Sequence, residues 1–85
     1  MRRDDLIPIR HALDAARKAI TFVEAVDCET FLAEEIRSLA VVRLLEVVGE
    51  AANSVSEELR DRYPEVPWRQ MIAMRNRLIH GYFEV

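Results

Sequence analysis

The sequence predicts an all-α domain, a small antiparallel helical bundle, and three observations carry that expectation. Apolar residues recur at three- and four-residue steps over long stretches. No segment alternates apolar and polar residues in the two-residue period of a half-buried strand. Two glycines and three prolines in 85 residues leave little turn punctuation. The span 1–85 suits one domain, and an apolar content of 51% excludes disorder. A chain this short buries only about 60–65% of the surface its unfolded form exposes. Oligomerisation or a partner is therefore expected.

The first helix is expected from about Asp5 to Val26, with Asp4 or Asp5 as N-cap and Pro8 tolerated in the first turn. Ile9, Leu13, Ala16, Ile20 and Val23 form its apolar stripe, opposite Arg10, His11, Asp14, Arg17 and Lys18. The second helix follows Asp27-Cys28-Glu29-Thr30, capped by Asp27 or Thr30. It is expected to continue to about Arg62, where Pro64 and Pro67 stop it. Some 30 residues would reach about 45 Å, against a diameter of roughly 30 Å for a compact chain of this size. Gly49 is the place for a bend.

On that helix Arg43, Glu46, Glu50, Asn53 and Glu57 form a narrow polar strip. Val41, Leu44, Leu45, Val47, Val48, Ala51, Ala52, Val55 and Leu59 cover nearly half the circumference or more. A helix packed in one bundle needs an apolar stripe of somewhat over 100°. The surplus predicts a second copy of the chain in a symmetric dimer, with Gly49, Ala51 and Ala52 permitting close approach. A helix central to its own bundle is the alternative. The third helix starts at Pro67 and runs to Ile79 or His80. Trp68, Met71, Ile72, Met74, Leu78 and Ile79 share a broad apolar face with Arg75 in its middle. Arg69, Asn76, Arg77 and His80 lie on the other side or at its edge.

Net charge is −3, yet the stretch from Val66 to Phe83 holds Arg69, Arg75 and Arg77 and no acid. Lys18 is the only lysine among 12 basic residues, and arginine is the type suited to planar recognition of carboxylate or phosphate. No apolar run approaches the roughly 18–20 residues that span a bilayer. The start Met-Arg-Arg-Asp-Asp lacks the apolar stretch of a signal peptide. Cys28 has no cysteine to pair with. A reducing cytoplasm and no membrane association are expected.

Two glycines cannot build a phosphate loop, and two histidines with one cysteine argue against zinc. Glu46 with Glu50, or Glu34 with Glu35, reads as a solvated or ion-paired helix face rather than a cation site. His11, alone among surface charges, is assigned no role. Arg75 on an apolar face must snorkel, meet a carboxylate such as Glu46 or Glu50, or sit where a phosphate meets it. The run Arg75-Asn76-Arg77-Leu78-Ile79-His80-Gly81-Tyr82 gathers a guanidinium, an amide, an imidazole and a phenol. Asn76 and His80, four apart, share a helical face. His80 can exchange protons near neutrality, and Arg75 can stabilise anionic charge. Those roles complement each other in phosphoryl chemistry without a metal.

The pattern Arg-x-x-x-x-His-x-Tyr, here Arg75, His80 and Tyr82, resembles the signature of the HepT family of HEPN-domain ribonuclease toxins. Leu45-Glu46-Val47-Val48-Gly49-Glu50-Ala51-Ala52, Tyr63-Pro64-Glu65-Val66-Pro67-Trp68 and Met74-Arg75-Asn76 resemble its other segments, in the same order and spacing. The resemblance implies an all-helical homodimer with facing motifs and metal-independent RNA cleavage without a cofactor. It also implies a type VII-like toxin–antitoxin system in which an MntA-like nucleotidyltransferase antitoxin AMPylates the motif tyrosine. Carried over, Arg75 and His80 are catalytic, Asn76 fills the polar position after the arginine, and Tyr82 is the modified hydroxyl. Arg77 is expected to touch substrate phosphate. The family continues past the motif into a further helix, so three helices and a missing final one are expected in this chain, which stops at Val85. A non-catalytic helical dimer that binds nucleotide or a nucleotidyltransferase, and a purely structural dimerisation module with an Arg–Glu pair, are the competing readings.

Overall fold

The computed structural model describes residues 3–80. A 3-10 turn, Arg3–Asp5, leads into α1 (Leu6–Glu24), α2 (Cys28–Ala33), α3 (Glu35–Ser54), α4 (Glu57–Arg62) and α5 (Trp68–His80). The all-α class therefore stands, and no strand occurs among the described residues. The number of helices is larger than expected, because the second expected helix is divided in three.

Its first break falls at Glu34, whose backbone is extended between α2 and α3. There the Ser38 hydroxyl donates to the carbonyls of Phe31 (2.8 Å) and Glu34 (3.1 Å). Arg37 Nη1 donates to the Phe22 carbonyl at 3.1 Å, tying the start of α3 to the end of α1. The second break falls at Val55 and Ser56, both extended. Arg60 Nη2 reaches back to the carbonyls of Ala52 (3.1 Å) and Asn53 (3.0 Å). The Ser56 hydroxyl accepts from Leu59 N–H and caps α4. Side chains thus satisfy the backbone groups that a continuous helix would have paired internally.

Asp5 has a part in this that its place in the sequence does not show. It stands at the N-cap position of α1 but makes no capping bond. Its side chain, only 2% exposed, accepts instead from Ser56 N–H at 2.8 Å and from the Ser56 hydroxyl at 2.7 Å. The carboxylate locks the start of α1 onto the α3–α4 corner. Asp27, by contrast, caps α2 as expected, accepting from Thr30 N–H at 2.7 Å.

α3 is the spine, with α1 along one flank and α5 along the other. The apolar surplus of α3 is thus partly spent inside the chain, and the small residues expected at an interface between copies lie within it. Ala51 and Ala52 are buried, and Gly49 faces α5. Gly49 is no bend either, since α3 runs unbroken through it. On α1 the buried residues are Ala15 and Ala19, while Leu13, Ile20 and Val23 of the expected stripe stay exposed. The stripe is turned aside from α3, because small alanines let the two helices come together.

The outcome is a flattened molecule of 41 × 30 × 20 Å with a radius of gyration of 14.2 Å, against roughly 12 Å for a compact chain of this length. Fully buried apolar side chains are few and mostly small; Leu59 of α4 is the largest. No helix among the described residues is long and apolar enough to cross a membrane.

Candidate functional site

α5 carries the chemistry-bearing residues, and its start follows from local sequence. The Pro67 carbonyl accepts from Met71 N–H, opening the helix, and Trp68 Nε1 donates to the Tyr63 carbonyl at 3.0 Å. No acid lies along α5, and Arg77 with His80 occupies its last turn, where cations meet the negative end of the helix dipole.

Arg75 is where α5 crosses α3. A Cβ added to Gly49 would collide with the Cβ of Arg75 and come within 2.6 Å of the Met71 carbonyl oxygen. The missing side chain at 49 thus lets the backbone under Arg75 settle against α3. The guanidinium is half-buried, its side chain 26% exposed. Nη1 donates to Asn76 Oδ1 at 2.8 Å, and Nη2 lies 3.7 Å from Glu50 Oε1. Nε is buried with no hydrogen-bond partner among the described residues. Of the two carboxylates expected to meet Arg75, Glu50 does so, while Glu46 pairs with Arg43 at 3.3 Å. Glu34 pairs with Arg37.

Arg75 and Asn76 are therefore brought together, with Glu50 beside them. Asn76, Arg77 and His80 are exposed. His80 stands one turn beyond Asn76 on the same face of α5. It lies five positions beyond Arg75, which places the two side chains roughly 140° apart around the helix and about 7.5 Å apart along it. Tyr82 lies outside the described residues. Among the described residues, no group of three or more His, Cys, Asp or Glu side chains is arranged to hold a metal ion. A groove of about 670 Å³ beside the α4–α5 connection contains none of these residues.

Two residues carry more than their sequence positions suggested. Gly49 seats Arg75; its signal was an isolated glycine inside a strong helical pattern, which usually has a packing reason. His11 lines a groove between α1 and α3 together with Glu50, the partner of Arg75. Nothing in its own neighbourhood of charged surface residues distinguished it.

A Thermococcus cleftensis protein, the probable ribonuclease HepT, is 36% identical over 83 residues, which is 98% of this chain and 73% of that protein. A Methanocaldococcus jannaschii protein whose name provisionally assigns it as an RNase is 34% identical over 84 residues, covering 99% of this chain and 77% of the relative. Another so named, from Caldanaerobacter subterraneus subsp. tengcongensis, is 35% identical over 77 residues, 91% of this chain and 69% of its own. No solved structure matches the chain. The family described as "Ribonuclease HepT-like" matches residues 12–85, and so the chain belongs to the HepT-like ribonuclease family.

Proposed function

We propose that this chain is a metal-independent endoribonuclease, the toxin of a type VII-like toxin–antitoxin pair, acting in the cytoplasm as a homodimer. The observation that carries the reading is the seating of Arg75. Its guanidinium is fixed by Gly49, Asn76 and Glu50 on the helix that also bears His80. Because Arg75 and His80 diverge around that helix, two copies with facing α5 helices supply a complete set of groups.

In this reading the ribose 2′-hydroxyl attacks the adjacent phosphorus. His80 takes the hydroxyl proton, and His80 of the partner subunit protonates the departing 5′-oxygen. A 2′,3′-cyclic phosphate and a 5′-hydroxyl result. Arg75 stabilises the charge on the phosphorane, Asn76 holds Arg75, and Arg77 contacts a substrate phosphate. No cofactor is required. Tyr82 is the switch: AMP placed on its hydroxyl by an MntA-like nucleotidyltransferase adds bulk and about one negative charge beside Arg75 and Arg77. Mass spectrometry after incubation with that enzyme and ATP is expected to map the adduct to Tyr82 and not to Tyr63.

The decisive experiment is cleavage of total RNA by the purified protein in EDTA, beside a His80→Ala control. Wild type is expected to leave cyclic or 3′-phosphate ends, and His80→Ala to abolish turnover with helix content intact. Activity that survives His80→Ala, or that needs added divalent metal, overturns the mechanism. The Glu50–Arg75 pair favours a second reading, a structural dimerisation module in which that ion pair is the role of the arginine. It expects no RNA cleavage by the wild type at any metal condition, no loss of any activity on changing His80, and only stability effects from changing Arg75.

A further inference from the structure

A groove of about 350 Å³ opens between α1 and α3 beside the Arg75 site. His11 of α1 and Arg43, Glu50 and Ser54 of α3 line it, and all four are exposed. Pro8 and Val47, half-buried, and Ala51, buried, lie deeper and make its floor. Glu50 belongs to both places, since its carboxylate lies 3.7 Å from Arg75 and also lines the groove. The groove is thus the immediate continuation of the Arg75 site across α3.

We propose that this groove holds the base of an RNA nucleotide flanking the scissile phosphate. The inference rests on the ribonuclease reading and deepens it. An apolar floor under a rim that carries four polar side chains beside the exposed Ile7 fits an object with flat apolar faces and hydrogen-bonding edges. A bare phosphate makes no use of the floor and is repelled by Glu50. A purely apolar ligand leaves the rim unpaired. A nucleobase uses both, and the volume lies at the small end of ligand sites, which start at about 300 Å³. Glu50 is an acceptor only, Arg43 a donor only, and Ser54 either, so the rim addresses donors and acceptors on a base edge. His11 brings a planar ring on which a base can stack. Arg43 gives Nη1 to Glu46, whose side chain is 17% exposed, while its own side chain is 68% exposed and its remaining nitrogens can donate to a base edge.

The test couples a substrate change to a protein change. Short single-stranded RNAs are prepared intact and with an abasic residue at each position flanking the cleavage point. In wild type, one abasic position is expected to raise KM about tenfold and leave kcat within twofold. His11→Ala and Ser54→Phe, the latter filling the groove from an exposed position, are each expected to raise KM for intact RNA about tenfold. Neither is expected to raise it further for that abasic RNA. Additive effects of the two changes overturn the proposal, as does an unchanged KM in both variants when circular dichroism shows them folded. If wild type cleaves nothing, the ribonuclease reading fails on its own account. Anisotropy with 2′-fluoro RNA then reads the groove directly: a tenfold affinity difference between intact and abasic RNA that vanishes in Ser54→Phe supports base binding, and equal affinities overturn it.

Discussion

Arg75 shows how much one side chain's role depends on its two nitrogens being used at once. Nη1 serves Asn76 while Nη2 faces Glu50. A lysine carries the charge but offers a single nitrogen on a flexible stem. Arg75→Lys is therefore expected to keep the fold and lose about 10²–10³ in cleavage rate, the magnitude typical of a lost electrostatic contact. Cleavage assays beside a melting curve check this. A rate within threefold of wild type assigns Arg75 to structure alone. Asp27 supplies a second expectation at this scale. Its hydrogen bonds from Thr30, chiefly from the backbone N–H, hold its carboxyl below the ordinary 3.8. A lowered folded-state value means that the capping stabilisation is fully present above about the unfolded value and disappears as pH falls through the folded one. The protection of the Thr30 amide against exchange, relative to its intrinsic rate at each pH, should fall on acidification into that range. Asp27→Asn, still an N-cap but not titratable, should flatten the profile.

Between elements, two contacts across long sequence separations decide the geometry. The first is the α3–α5 crossing at Gly49. Replacing an interior helical glycine by alanine ordinarily gains up to about 1 kcal/mol. Here the new methyl meets the Cβ of Arg75 and a backbone carbonyl, neither of which is the far end of a flexible chain. Overpacking of that kind costs about 1–3 kcal/mol. Gly49→Ala is expected to lower Tm and displace Arg75, with loss of cleavage. A variant as stable as wild type would mean that α5 does not cross α3 at this point. The second contact joins Asp5 to Ser56. Asp5→Ala removes a charged acceptor and leaves the Ser56 N–H without it. Hydrogen bonds to charged groups contribute about 1.5–3 kcal/mol, so urea denaturation should show a loss of that order. No change would place the start of α1 elsewhere.

For the whole molecule the open question is what covers its apolar surface. Leu32 is 73% and Ile36 85% exposed, and Leu39 lies beside them on α3. These side chains sit where the expected single helix divides, and they are uncovered by α1 or α5. A homodimer that uses this end of α3 should be broken by Ile36→Arg, which removes no internal contact. Sedimentation of wild type and variant at micromolar concentration checks it. A monomeric wild type counts against the dimer, and a dimeric variant moves the interface to another face. Arginine at Ala52 is no substitute for that test. Ala52 is 1% exposed, so a charge there disrupts the domain rather than an interface.

The sequence by itself determined the all-α class, the start of the last helix to within one residue of Pro67, a cap at Asp27 or Thr30 and the grouping of Arg75, Asn76, Arg77 and His80 on one helix. Each follows from residues within a turn or two of one another, where periodicity and capping act. Periodicity runs one helix through the α3–α4 break, although Ser56 followed by two acids is an N-cap pattern. Only the tertiary structure decided that the break is made, since Asp5 secures it from 51 residues away. It also decided that Glu50 rather than Glu46 meets Arg75, that Gly49 seats α5, and that His11 shares a groove with Glu50. Periodicity reports that a helix face is apolar or charged. Which neighbour meets that face depends on crossing geometry, and in this chain the small residues at 15, 19, 49, 51 and 52 set how closely the helices approach.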